Sequence, residues 1–201
     1  MKSTIKNVLC LTLITVAAGF GLGYVYEITK VPIAQMEENT RLAAYRSVFP
    51  EAADFSDTGA VTDDAAEVSA RAGITGVDID SAVNALDASG NIIGYVINTT
   101  THEGYGGDIS ISLGVDNSGM VKGMEILSIS ETAGLGMKAK ESSFRDRFKG
   151  KSVKQFSYTK TGATADFEID AISGATITTK AVTNAVNAAL AFYDSLGGGL
   201  Q

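Results

Sequence analysis

The stretch Asp108-Ile109-Ser110-Ile111-Ser112-Leu113-Gly114-Val115-Asp116-Asn117-Ser118-Gly119-Met120 decides how the chain folds. Ile109, Ile111, Leu113 and Val115 fall on one side of an extended chain, and Ser110, Ser112 and Gly114 on the other. A period of two marks a strand with one apolar face. Asp116-Asn117-Ser118-Gly119 reads as a tight turn, because Asp and Asn bond their own backbone and Gly tolerates positive φ. Residues 120–130 then return as the antiparallel partner. Their apolar register changes near Glu125 (Met124 and Ile126, then Leu127 and Ile129), which predicts a bulge or two covered faces. Upstream, residues 81–88 and 91–100 flank Ser89-Gly90 as a second hairpin.

Two glycine-rich loops bracket the central hairpin. Gly104-Tyr105-Gly106-Gly107 precedes it and Glu131-Thr132-Ala133-Gly134-Leu135-Gly136 follows it. Hairpin geometry places both at the same end of the sheet, opposite the Asn117-Ser118 turn. Glycine there lets backbone approach a flat ligand closely. Residues 137–149 predict a charged amphipathic helix with Met137, Phe144 and Phe148 inward. Residues 151–160 and 164–169 are strand candidates.

The second of these candidates runs into Asp170-Ala171-Ile172-Ser173-Gly174-Ala175-Thr176, followed by Ile177-Thr178-Thr179-Lys180 and a helical pattern reaching Leu196. That helix is expected to bury Val182, Ala185, Val186, Ala189, Tyr193 and Leu196. Lys180, Thr183, Asn184, Asn187 and Asp194 are expected to face water. A small-residue turn entering a helix is a ready anion site, since the first N–H groups lack intrahelical partners and the macrodipole favours negative charge. A threonine hydroxyl there can hold a phosphate or be esterified to one. The competing reading makes Ser173 or Thr176 a plain helix cap.

Near the start, residues 7–26 are 20 positions without a charge. As a helix rising about 1.5 Å per residue they span the roughly 30 Å hydrocarbon core. Lys2 and Lys6 precede them, so the positive-inside rule puts the N-terminus in the cytoplasm and the main domain on the periplasmic or extracellular side. Tyr24 and Tyr26 suit the far interface. Ala17-Ala18-Gly19 offers a signal-peptide alternative. The apolar run continuing through Val25 favours an anchor. Gly19-x-x-x-Gly23 is compatible with close helix approach, and equally with the ordinary abundance of Gly in membrane helices. Val31-Pro32 is expected to break or restart the helix, residues 33–49 to form a connecting helix, and Pro50 to end it. Residues 54–76 read as a loop or weak insertion, with Asp57, Asp63, Asp64 and Glu67 solvated.

The expected fold class is therefore α+β: a largely antiparallel, twisted sheet with packed helices, plus one N-terminal transmembrane helix. The expected parts are 1–6, cytoplasmic; 7–26, transmembrane; 27–50, connecting; and 51–201, an extracytoplasmic domain. An apolar fraction of 45% supports a packed core. A net charge of -7, from 23 acidic against 16 basic residues, argues against nucleic-acid binding. With Cys10 and His102 as the sole Cys and His, one chain can build neither a zinc nor an iron–sulfur site, and no internal disulfide. Cys10 reads as a packing residue in its apolar run and His102 as a surface or loop residue. A hydrolase using Ser173 lacks both a neighbouring His and a Gly-x-Ser-x-Gly elbow. Redox chemistry would need an organic cofactor.

Asp170-x-x-Ser173-Gly174-Ala175-Thr176 before Thr178-Thr179 resembles the flavinylation motif of FMN-binding domains. Those domains occur in the G subunit of Rnf ion-translocating electron-transport complexes and in the C subunit of the sodium-translocating NADH:quinone reductase. The two glycine loops resemble the family's Gly-Tyr-Gly-Gly and Glu-Thr-x-Gly-Leu-Gly elements, in the family's order, with Ala133 where Pro is frequent. The resemblance implies FMN joined through its phosphate to Thr176 by a separate flavin transferase. It also implies an electron-relay role beside other subunits of a membrane complex, without catalysis by this chain alone. Ser173, Gly174 and Ala175 would then shape the turn, and Ile177, Thr178 and Thr179 would offer N–H groups to the phosphate. Asp170 would cap or brace the turn and help the transferase recognise it. Tyr105, Glu131, Thr132, Gly134 and Leu135 would surround the ring. The short N-terminal region favours the G subunit. The alternatives are the C subunit and a non-redox membrane-anchored binding module.

Overall fold

The structure is a computed structural model that describes residues 2–58 and 65–197. It divides into two units, 1–42 and 43–201. The first is most of one helix, α1 (Lys2–Val48), unbroken through Pro32. The expected break is absent. Proline removes one N–H and leaves the Ile28 carbonyl without its helical donor, but the helix continues past this one lost bond. One helix in the described residues is long and apolar enough to cross a membrane. Cys10 is exposed on it rather than packed within the chain.

The second unit is built on a five-stranded sheet of order β1-β2-β3-β4-β5, antiparallel throughout. Its strands are β1 (Asp54–Asp57), β2 (Val77–Leu86), β3 (Ile92–Thr101), β4 (Ile109–Asp116) and β5 (Val121–Ile129). The period-two reading of β4 holds. Ile109, Ile111, Leu113 and Val115 are fully buried on one face. The bulge near Glu125 is present too, because Ser110 pairs with Ser128 and Ile111 with Ile126, leaving Leu127 unmatched.

The region 54–76 is more structured than its composition suggests. β1 pairs with β2 along Asp54–Leu86 to Asp57–Val83, and α2 (Ala65–Arg71) follows. Phe55 packs at 5.4 Å, ring to ring, against Tyr45, so a single aromatic anchors an otherwise polar strand. Asp63 and Asp64 lie outside the described residues, as does the side chain of Glu67.

Both faces of the sheet are covered. One packs on α4 (Thr176–Ser195), with Val182, Ala185, Val186, Ala189 and Leu190 buried against it. The other is covered by Tyr45, Val48 and Phe49, against Ala85 and Val96. Between them, Asn98 donates to Tyr45 Oη at 2.5 Å and to Ser81 Oγ at 2.8 Å, and accepts from Ser112. The close approach of Val48 requires Gly114, where an added Cβ would stand 2.8 Å from the Val48 carbonyl oxygen. Gly114→Val should therefore destabilise the domain by about 1–3 kcal/mol, as overpacked cores do. Urea denaturation should show it as a lower midpoint at unchanged slope.

The expected helix over 137–149 is shorter and divided. A 3-10 turn (Gly136–Lys140) precedes a single turn, α3 (Ser142–Arg145). Phe144 and Phe148 still point inward, stacked edge-on at 5.7 Å. The two strand candidates shrink to β6 (Ser157–Thr159) and β7 (Glu168–Asp170), which pair with each other in parallel, apart from the main sheet.

α4 departs from its expected polar face. Thr183 and Asn187 are buried, not solvated. Asn187 accepts from the Phe156 N–H at 2.8 Å and donates to the Phe156 carbonyl at 2.9 Å. Periodicity identifies a polar side, but a second layer, the 151–170 segment, packs onto that side.

Candidate functional site

The register places the site. Ile109 pairs with Ile129, so the loop entering β4 and the loop leaving β5 are neighbours at one end of the sheet. The Glu131 carboxylate joins them, with Oε1 accepting the Tyr105 N–H at 2.8 Å. The start of α4 reaches the same end. An open cleft of about 550 Å3 lies among the three segments. Tyr105 lines it from the first loop. Glu131, Thr132, Leu135 and Gly136 line it from the second, and Gly174 through Thr178 from the helix start.

Local chemistry explains the turn into α4. Gly174 takes φ 76, a left-handed conformation that L side chains rarely adopt, and a Cβ there would come within 3.1 Å of Leu135. Thr179 holds the turn together. Its buried hydroxyl accepts the Ile172 N–H at 3.0 Å and donates to the Ala175 carbonyl at 3.0 Å. The residue at the cap position is Ala175, and no side chain caps the helix. Neither Ser173 nor Thr176 serves as cap, so the plain-cap reading fails. Alanine is among the poorest caps, and it leaves the first N–H groups open to an outside acceptor. Thr176 is the first residue of the helix, half-buried at the cleft wall.

The sequence candidates fall into two groups. Thr176, Gly174, Ala175, Ile177, Thr178, Tyr105, Glu131, Thr132 and Leu135 line one cleft. Gly134 does not; with φ 76 it turns the loop that presents Leu135. Ser173 is exposed beside the cleft, and Thr179 stitches the turn from behind. Among the described residues, Asp170 makes no side-chain hydrogen bond to the Ser-Gly-Ala turn. Its Oδ1 accepts the Ala163 N–H at 2.6 Å and its carbonyl accepts from Arg147, which fastens β7 to its flanks.

Gly136 also lines the cleft, although its place in a glycine-rich loop does not by itself single it out. A Cβ there would stand 2.6 Å from Glu131 Oε2 and 2.7 Å from Thr178 Oγ1. A side chain at 136 would force Glu131 and Thr178 to shift. The only sequence signal for this role is its spacing in the Gly-Leu-Gly triplet.

His102 sits just outside this group, at the end of β3. Nδ1 is 2.9 Å from Asp108 Oδ1 and Nε2 is 3.0 Å from Asp78 Oδ2. Hydrogen bonds to Asp108 and then Asp78 push its pKa up from 6.5 to about 9. A raised folded-state value stabilises the fold fully below the unfolded value, and that contribution is lost as pH rises through about 9. The cluster is exposed to solvent, so the effect is small and sensitive to salt. An NMR titration of the His102 ring should give a midpoint above 6.5 that falls toward it in Asp108→Asn.

The residues fit a phosphate ester carrying a flat ring. The uncapped helix start supplies N–H groups for phosphate, and its first hydroxyl stands beside them. The cleft volume falls within the range of about 300–1,000 Å3 usual for small-molecule sites. The mouth is apolar, with Tyr105, Leu135 and Ile177 exposed.

The FMN-binding domain family matches residues 104–191, which span both glycine loops and the turn into α4. The G subunit of the Na(+)-translocating ferredoxin:NAD(+) oxidoreductase complex from Acetobacterium woodii is 32% identical, over 97% of this chain and 94% of its own length. The G subunit of the ion-translocating oxidoreductase complex from Methanosarcina acetivorans is 28% identical, over 98% of each. Among solved structures, NqrC from Shewanella oneidensis aligns with a TM-score of 0.48 at 20% identity, over 59% of this chain and 61% of its own. The chain belongs to the family of Rnf-type G subunits of ion-translocating oxidoreductase complexes, with its FMN-binding domain over residues 104–191.

Proposed function

We propose that this chain is the electron-relay G subunit of a membrane-bound ion-translocating oxidoreductase complex, with FMN esterified through its phosphate to Thr176. The observation that carries the attachment is the position of Thr176: first residue of an uncapped helix, on the wall of the cleft. When bound, FMN supplies the ability to take and pass electrons one or two at a time. The chain's own residues hold and orient it. The N–H groups of residues 176–178 and the helix dipole would hold the phosphate. Ser173, Gly174 and Ala175 form the turn that presents the hydroxyl, and Thr179 fixes that turn. Tyr105, Thr132 and Leu135 would supply a surface for the ring, and Gly134 turns the loop that carries Leu135.

A tether suits this location. An ester keeps the local concentration of cofactor high whatever the non-covalent affinity, and an open cleft would otherwise lose it by dilution. Two charged residues before the apolar run support a cytoplasmic N-terminus, with the flavin domain on the far side of the membrane. A flavin transferase installs the ester there, and other membrane and peripheral subunits provide the electron donor and acceptor. The relatives matched over nearly their whole length are G subunits, which favours this reading over the C subunit.

The deciding test is intact mass of the membrane-extracted protein from cells that express the transferase. An increase of one FMN, mapped to the peptide carrying Thr176, is the expected result. Unmodified protein under those conditions refutes the attachment.

A further inference from the structure

A site built to receive a phosphate, and then electrons, has a carboxylic acid in its wall. Among the described residues, Glu131 is the only Asp, Glu, Lys, Arg or His lining the cleft, and it is 9% exposed. Its first oxygen is used, accepting the Tyr105 N–H at 2.8 Å. Its second has no hydrogen-bond partner among the described residues and lies on the Gly136 side, the direction also taken by Thr178 Oγ1. Among the described residues, no basic side chain forms an ion pair with Glu131, and none lines the cleft. Lys180, one turn into α4, is directed to Glu103 at 3.4 Å instead.

Oε2 is not among the buried unpartnered side-chain atoms, so it opens on the cleft rather than into the core. The hydrogen bond to Tyr105 does not require a charge; an amide oxygen would also accept it, more weakly. What an amide cannot do is place a full negative charge beside the bound ring. Each electron delivered to the cleft adds one negative charge unless a proton enters with it. A fixed anion a few ångströms away, in a site partly shielded from water, opposes that addition.

We propose that Glu131 is a positioning and potential-setting residue of the cleft: Oε1 holds the Tyr105 loop against the 131–136 loop, and the charge on the carboxylate keeps the bound flavin at a low reduction potential. This rests on the FMN reading of the same cleft. Gly136 is required by the same arrangement, since it leaves room for the second carboxylate oxygen at the wall. Lys180, the cation on α4, is engaged by Glu103, whose carboxylate also accepts from Asn184 Nδ2 at 2.8 Å, so it forms no ion pair with Glu131.

The test crosses two substitutions in the flavinylated, membrane-extracted protein. Glu131→Gln keeps size and the acceptor for Tyr105 but removes the charge. Glu131→Asp keeps the charge but shortens the arm. Mass spectrometry first establishes equal FMN occupancy, and spectroelectrochemistry then gives the midpoint potential. The expected result is a more positive midpoint in Glu131→Gln and one near wild type in Glu131→Asp. Hydrogen exchange at the Tyr105 amide should remain protected in Glu131→Gln and become faster in Glu131→Asp. A midpoint unchanged in Glu131→Gln overturns the charge assignment, and so does one that moves only in Glu131→Asp. Wild-type protein without FMN on Thr176 would instead overturn the underlying reading, so the two failures are distinct.

Discussion

Replacing Thr176 by Ala is expected to abolish covalent FMN while leaving the domain as stable as before. These two outcomes normally conflict, because the residue opening a helix often caps it. Here it does not. Ala175 occupies the cap position and Thr176 is the first helical residue. Its hydroxyl therefore carries no capping role whose removal would cost about 1 kcal/mol. Alanine also has the higher helix propensity. The change in folding free energy should stay within about 0.5 kcal/mol, as for substitutions that break no packing or hydrogen-bond network. Flavin fluorescence on a denaturing gel should disappear, and the mass should fall to that of the bare chain. Thr176→Ser, which keeps a hydroxyl at the same place, should restore part of the signal. A fluorescent band persisting in Thr176→Ala would move the ester elsewhere, with Ser173 and Thr178 the nearest hydroxyls to examine.

The second large effect is expected at a residue without any role in the cleft. Asn187→Leu preserves approximate volume but deprives the Phe156 N–H and carbonyl of their partners, at 2.8 and 2.9 Å. Phe156 is itself buried, and Phe148 packs on it edge-on at 5.2 Å. Two buried backbone groups left unpaired cost about 1–3 kcal/mol each. In a domain of this size each kcal/mol lowers Tm by roughly 2–4 °C, so a fall on the order of 10 °C is expected by calorimetry. Attachment at Thr176 should survive at low temperature, because residue 187 lies about three turns further along α4. A Tm within a degree of wild type would show that water replaces the lost bonds and that the 151–170 layer is looser than its burial implies.

These two sites differ in how far sequence reveals them. Thr176 is legible because the motif is local: small residues, a positive-φ glycine and a helix start lie within one stretch of chain. The antiparallel sheet is legible for the same kind of reason. Alternation in β4, the Asp116–Gly119 turn and the apolar shift near Glu125 are all properties of neighbours in sequence, and each reappears in the register. Even the meeting of the two glycine loops follows from hairpin geometry alone.

Asn187, Asp170 and β1 depart from expectation, and each depends on a partner far away in the chain or outside its own motif. Asn187 has the polarity of a solvated helix face, and only the layer formed by 151–170 buries it. Asp170 sits inside the motif, yet its carboxylate is claimed by Ala163. β1 is too short and polar to declare itself; β2 and the Tyr45 ring make it a strand. An antiparallel sheet, a long apolar N-terminal helix and a small-residue turn before the last helix were readable from the residues, because these follow from periodicity, length and backbone chemistry over a few positions. Only the packing of distant segments settled that Ala175 occupies the cap position with no side-chain cap, that Gly136 makes room beside Thr178, and that Glu131 is the one acid lining the cleft among the described residues. Those facts depend on which side chains three distant segments bring together, and no local pattern encodes that.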